Sequence, residues 1–308
     1  MAQSYTFKVI GSKGNISADG KALKVGATLT ENQSVVISSG AFLSLLHSNG
    51  KPLELKSEGT FKVKDLASKV SGSASLSNKY IDFVQKELTE NGGPSAERER
   101  KTHMKKTGSV ERDIPGPVSL IMPNTRETAR YIFGNSITLK YFLKSNSKVF
   151  GIDAADLKSF KITIKDMTDE ILYEKETTSN TEIVDLTKGK LANAKDLIFK
   201  IVPIKKDGSI IDKTDDVMFS RLDEDEHREV ASELASITDP KAEPTALSKL
   251  IEARFFEEKG YFLDAIVAYE KAVELSYNVD AYGEMYKSFL IRNDMGKEGF
   301  EAVALGNK

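Results

Sequence analysis

The chain's three histidines, His47, His103 and His227, are scattered over the sequence. His47 falls in a predicted strand, His103 in a charged connecting segment, and His227 closes the run Asp223-Glu224-Asp225-Glu226-His227. Isolated imidazoles do not make a three-ligand metal site. The acidic run lacks the glycine and the alternating oxygen spacing of a calcium loop, and it reads as a solvated helix start. Ser145-Asn146-Ser147-Lys148 has the Ser-x-x-Lys spacing of an acylating serine, but it sits in a predicted loop between strands rather than at a helix start. Gly14 to Gly20-Lys21 is one residue too long for a phosphate loop, and Ala22 stands where a hydroxyl is needed. There is no cysteine, which excludes thiol nucleophiles, disulfides, iron–sulfur clusters and Cys-type zinc sites. The residues therefore predict a protein without catalytic groups, cofactor or metal.

What remains is chemistry suited to binding. Arg98, Arg100, Lys101, Lys105 and Lys106 form a basic cluster. Its bland reading is a solvated tether; its functional reading is a segment that orders on an acidic partner surface. Tyr261, Tyr277 and Tyr282 belong to an aromatic-rich helical region that also holds Tyr269 and Tyr286. Core packing explains most such rings, while the concave face of a helical repeat is a common peptide-binding surface. Net charge is −2 overall, with +3 over residues 1–90 and −8 over residues 221–308. Without a concentrated basic footprint, nucleic acid is not expected as the partner. No apolar run reaches the roughly 18 residues that span a bilayer, so direct membrane insertion is not expected either.

The elements that must position these residues divide the chain into four stretches. Over residues 4–70 short alternating runs such as Thr6-Phe7-Lys8-Val9, Leu53-Glu54-Leu55-Lys56 and Phe61-Lys62-Val63-Lys64 are punctuated by Gly14, Gly20, Gly26, Gly40, Gly50 and Gly59. A helical stripe of Leu76, Tyr80, Phe83, Val84 and Leu88 follows. The first domain is thus 1–90, a compact β-domain ending in a helix. Residues 91–116, polar and charged, form a flexible linker. Residues 117–220 return to alternation in Ile137–Tyr141, Phe160–Lys165 and Leu197–Ile201, with a turn at Asp207-Gly208. About seven short strands in about 100 residues predict an immunoglobulin- or fibronectin-like sandwich. From residue 221 to 308 the pattern is helical, with helices expected over 222–237, 244–258, 262–275, 280–291 and 297–305 and breaks at Asp239-Pro240, Lys259-Gly260 and 293–296. The expected class is multidomain α+β.

Gly14-Asn15-Ile16, Leu23 to Leu29, Val35 to Leu45 and Gly50 to Leu55 together resemble the FecR-like periplasmic domain over about 60 residues. Gly260 to Leu275 is similar to the second helix of a tetratricopeptide repeat, with Ala265, Tyr269 and Ala272 at its small–large–small packing positions. Ala253 and Phe256 stand at the corresponding places of a first helix. These resemblances imply a periplasmic protein, the start Met1-Ala2-Gln3 being what cleavage of a signal peptide would leave once Met1 is added. They further imply an accessory or scaffold subunit of a bacterial envelope complex with protein partners. One such setting is a secretion translocon whose large outer-membrane β-barrel a soluble subunit occludes or gates. The other reading they imply is a FecR-type envelope sensor.

Overall fold

The computed structural model describes residues 5–70, 78–89, 95, 97–99, 101, 102, 116–122, 131–293 and 295. It is α+β and divides into two compact units: Met1–Ala96 with Glu229–Phe255 and Ala268–Tyr286, and Glu97–Arg228 with Phe256–Val267 and Lys287–Lys308. The helical residues after 221, expected as a third domain, are shared between these two units.

In the first unit, strands β1 (Phe7–Lys13), β2 (Ile16–Ala18), β3 (Lys21–Ala22), β4 (Thr28–Leu29), β5 (Ser34–Ile37), β6 (Phe42–His47), β7 (Pro52–Leu55) and β8 (Gly59–Lys62) make two antiparallel sheets. Their orders are β4-β1-β6-β7 and β3-β2-β5-β8. Phe7, Val9, Leu43, Leu45 and Leu55 from the first sheet meet Ile16, Val35 and Ile37 from the second in one apolar core. Alternation fails in β6, where Phe42, Leu43, Ser44 and Leu45 are all fully buried. A strand covered on both faces reads as a continuous apolar run, because neither side has to meet water. The sequence pattern also misled at Val63: Phe61-Lys62-Val63-Lys64 alternates, yet the strand stops at Lys62 and α1 (Val63–Lys69) begins there. Val63 and Leu66, three apart, both enter the core, which is a helical spacing rather than a strand one. Helix α2 (Asn78–Thr89) buries Tyr80, Val84 and Leu88 as its stripe predicts.

In the second unit, β9 (Val118–Leu120), β10 (Tyr131–Ile132), β11 (Ser136–Leu143), β12 (Leu157–Lys165), β13 (Ile171–Thr177), β14 (Thr181–Asp185), β15 (Asp196–Lys205) and β16 (Val217–Arg221) form sheets of order β10-β16-β15-β12-β13 and β14-β11-β9. Pairing is antiparallel except between β10 and β16. Phe160, Ile162 and Ile164 alternate inward along β12, as do Leu197, Phe199 and Ile201 along β15. Tyr141 of β11 meets Phe160 edge-on at 5.1 Å, joining the two sheets as a sandwich. Within the expected linker, residues 97–99 and 101–102 are helical. Glu97 and Lys101 pair at 2.8 Å across one helical turn, a spacing that supports a short helix where composition alone suggests a tether.

Among the described residues four longer helices follow: α3 (Glu224–Ile237), α4 (Ala246–Lys259), α5 (Phe262–Leu275) and α6 (Asp280–Arg292). The acidic run at 223–226 is a reciprocal cap. Glu226 N–H donates to Asp223 Oδ1 at 2.9 Å, and Asp223 N–H donates to Glu226 Oε2 at 3.1 Å. Helix α4 ends in a Schellman turn, with Gly260 at φ +81° and Tyr261 N–H reaching Phe256 O at 2.9 Å. The helix expected at 297–305 lies outside the described residues.

Candidate binding surface

Helix α5 also ends in a Schellman turn, with Tyr277 N–H on Glu274 O and Asn278 N–H on Val273 O, both at 3.0 Å. The left-handed position here is not glycine. Tyr277 and Asn278 both stand at φ +56°. A side chain at that backbone angle costs roughly 1 kcal/mol, so the turn survives because its surroundings hold it. Lys13 Nζ donates to Tyr277 O at 2.7 Å and to Asn278 O at 3.2 Å. The Tyr277 ring lies against Phe42 at 5.7 Å between centroids, and Lys56 Nζ stands 5.7 Å from its centre. The residue is still 49% exposed, so a partly exposed aromatic side chain is fixed on the first unit.

Two further contacts seat this turn. Tyr282 is fully buried against β1 and β6: a Cβ on Gly11 would lie 3.1 Å from its Cε2. Glu54, on β7, accepts the Ala246 N–H at the start of α4 at 2.5 Å and pairs with Lys56 at 3.2 Å. Burial pushes its carboxyl up, and the Ala246 N–H and the Lys56 ammonium pull it back only in part.

The sequence-predicted residues therefore part company. Tyr277 is exposed and rigidly held; Tyr282 is interior, its ring used inside its own unit. Tyr261 is half-buried, 6.5 Å from Phe256. Arg98 and Lys101 are exposed, Lys101 paired with Glu97. Arg100, Lys105, Lys106 and His103 lie outside the described residues. Lys13 on β1, Phe42 on β6 and Lys56 just after β7, which build the plate, carry no local mark of a site. Only the non-glycine ending of α5 could have pointed to it.

The residues weighed for catalysis are otherwise engaged. His47 meets the Phe7 ring edge-on and its Nδ1 accepts the Asn49 N–H at 3.1 Å. His227 stacks on Phe133 at 4.5 Å. Lys148 pairs with Asp153 at 2.6 Å, while Ser145 is exposed in the preceding loop. A Lys-Thr-Gly triplet of the kind that accompanies such serines is present at 106–108, outside the described residues. Among the described residues no group of His, Asp and Glu is arranged to hold a metal ion, and no helix is long and apolar enough to cross a membrane.

No protein-family model matches the chain, and no curated protein does. Solved structures give distant likenesses. Fibronectin(III)-like modules of Clostridium thermocellum CbhA are 8% identical, with 72% of this chain and 82% of that one covered at a TM-score of 0.23. A DUF3823 family protein from Bacteroides ovatus is 11% identical, with 71% and 90% covered at a TM-score of 0.24. Values this low assign neither an activity nor a partner.

Proposed function

We propose that this chain is a non-catalytic binding subunit of a bacterial envelope complex, exported to the periplasm, whose first unit docks on a protein partner through the Tyr277 plate. The observation that carries the reading is a half-exposed tyrosine standing at φ +56° in a helix-ending position where glycine is the cheaper residue. Backbone strain at an exposed aromatic is a feature that clusters at ligand clamps and binding sites, and it supports a docking role here. The resemblance of the first β-domain to FecR-like domains and of Gly260–Leu275 to a tetratricopeptide helix supports the same setting, as does a two-sheet domain of immunoglobulin or fibronectin type between them. The partner class this reading names is a large outer-membrane barrel of a secretion translocon, which the chain would occlude or gate.

The test is light cross-linking in living cells of the organism that carries the gene, with a C-terminal tag and identification of what co-purifies from the envelope. Recovery of one outer-membrane barrel protein, lost on Tyr277→Gly, is the expected result. Recovery of an inner-membrane transducer would replace the scaffold reading with the sensor reading. Recovery from the cytosolic fraction alone would overturn both.

A further inference from the structure

The sandwich of the second unit treats its sheet edges differently. Strand β13 ends the larger sheet and carries Glu174, Lys175 and Glu176 in a row, with Lys161 paired to Glu174 at 2.8 Å and Lys158 to Glu176 at 3.0 Å. Charges of this kind keep other strands off an edge. At the far end β10 is only two residues long, and β9, at one edge of the smaller sheet, is buried at Val118 and Ser119. Strand β14, at the other edge of that sheet, has no such guard at its centre. Ile183 is 69% exposed there, between the buried Glu182 and Val184.

The register tells which main-chain groups of β14 face outward. Tyr141 N–H donates to Asn180 O at 3.0 Å and Leu186 N–H to Asn135 O at 2.9 Å, and between these bonds the pairing with β11 runs without a shift. Bonding alternates along an antiparallel ladder. Asn180, Glu182, Val184 and Leu186 therefore turn their main chains to β11, while Thr181, Ile183 and Asp185 turn theirs away. Ser179 Oγ accepts the Thr181 N–H at 3.0 Å and donates to Thr181 O at 2.8 Å. Among the described residues the Ile183 N–H and C=O have no hydrogen-bond partner.

We propose that β14 is a self-pairing edge, on which a second copy of this chain adds its own β14, antiparallel about a two-fold axis at Ile183. The segment Thr181-Glu182-Ile183-Val184-Asp185 is complementary to itself in that register. Ile183 meets its copy in a hydrogen-bonded pair, which satisfies both of its open main-chain groups and sets two exposed apolar side chains together. Thr181 meets Asp185 of the second copy and Glu182 meets Val184, so no like charges stand opposite each other. Ser179 is exposed and releases Thr181 by turning its own side chain. Residues 117–220 carry 16 basic and 15 acidic residues, so the two sandwiches approach without a large net repulsion. A ladder this short lies below the roughly 1,200 Å² of stable complexes, and the association is accordingly weak and concentration-dependent. The inference does not rest on the Tyr277 reading. A paired chain would carry two such plates and engage a two-site partner with avidity.

Analytical ultracentrifugation of the full chain from about 10 μM to about 500 μM, the range a small interface calls for, tests the pairing. The mean mass should climb from 33.9 kDa toward twice that value. Ile183→Lys places like charges across the axis and should weaken association roughly tenfold. Ile183→Pro removes an N–H that faces away from β11 and should abolish association while the sandwich stays folded. Hydrogen exchange should show the Ile183 amide gaining protection with concentration in the wild-type chain and losing that dependence in Ile183→Lys. If Ile183→Pro does not fold, Ile183→Lys, which alters only an exposed side chain, carries the test. A chain that stays monomeric at the highest concentration overturns the proposal, even where a foreign extended peptide protects Ile183. A dimer that persists unchanged in Ile183→Lys overturns it too, because the contact then lies elsewhere.

Discussion

Lys13 grips Tyr277 by its main-chain carbonyl, at 2.7 Å and across 264 residues of sequence, while the ring lies against Phe42 and Lys56. A lysine ammonium over the end of a helix is in its favoured electrostatic place, since unsatisfied carbonyls collect there. In this case it also holds a left-handed tyrosine that would otherwise relax. The β-domain thereby fixes the pose of a ring belonging to residues near the other end of the chain.

Replacing the tyrosine separates stability from binding. Tyr277→Gly relieves the positive φ, worth about 1 kcal/mol, and gives up the contacts of a half-exposed ring with Phe42 and Lys56. We expect the urea midpoint to stay within about 0.5 kcal/mol of wild type, or to rise, while cross-linking to the partner falls at least roughly tenfold. A variant that binds as well as wild type would show that the plate is not the docking surface.

Lys13→Met keeps the aliphatic stem and removes the charge. The lost hydrogen bonds are exposed to solvent, so the expected cost is about 1 kcal/mol by chemical denaturation. Added salt should weaken the wild-type chain toward the variant, because an exposed ammonium–carbonyl contact is screened. Equal salt responses in the two proteins would refute the role given to this lysine.

Tyr282 should respond to its ring and not to its hydroxyl. It is fully buried, and neither its hydroxyl nor that of Ser44 beside it makes a well-formed hydrogen bond. Tyr282→Phe is therefore expected to be neutral or stabilising, whereas Tyr282→Ala leaves a large cavity between α6 and strands β1 and β6 and should cost about 3–5 kcal/mol. Gly11→Ala, which forces a Cβ to 3.1 Å from the ring, should lie between them in urea titrations. A costly Tyr282→Phe would mean that the hydroxyl is satisfied by ordered water.

The outline of the elements was legible because local periodicity is set by local geometry. Ile137–Tyr141, Phe160–Lys165 and the break at Gly260 fall where alternation and helix-stop signals put them. Packing between distant segments was not. Asp264 carries the mark of a solvated first-turn acid, and only the remote Phe133–Gly134 backbone turns it into a buried one. Tyr282 looks like one more helical aromatic until Gly11, 271 positions away, supplies the flat surface that takes it. The same limit applies to β6, where Tyr277 meets Phe42 and Tyr282 lies beside Ser44.

Glu54 offers a pH test whose sign runs against the usual carboxylate. Most carboxylates are stabilised by folding and lose that contribution in acid; Glu54 is raised above its ordinary value of 4.5 by burial, despite the Ala246 N–H and Lys56. The folded chain thus holds this proton more tightly than the unfolded chain, and the ionised group's burial penalty develops as pH rises from the ordinary value through the raised one. Glu54→Gln keeps an oxygen for the Ala246 N–H without the buried charge, although it loses Lys56 and the charge at the α4 N-terminus. Stability of Glu54→Gln minus wild type, from urea midpoints, should therefore grow more positive between pH 4 and pH 7. A difference that shrinks over that range would show that the helix start and Lys56 outweigh burial, and that the carboxylate belongs there ionised.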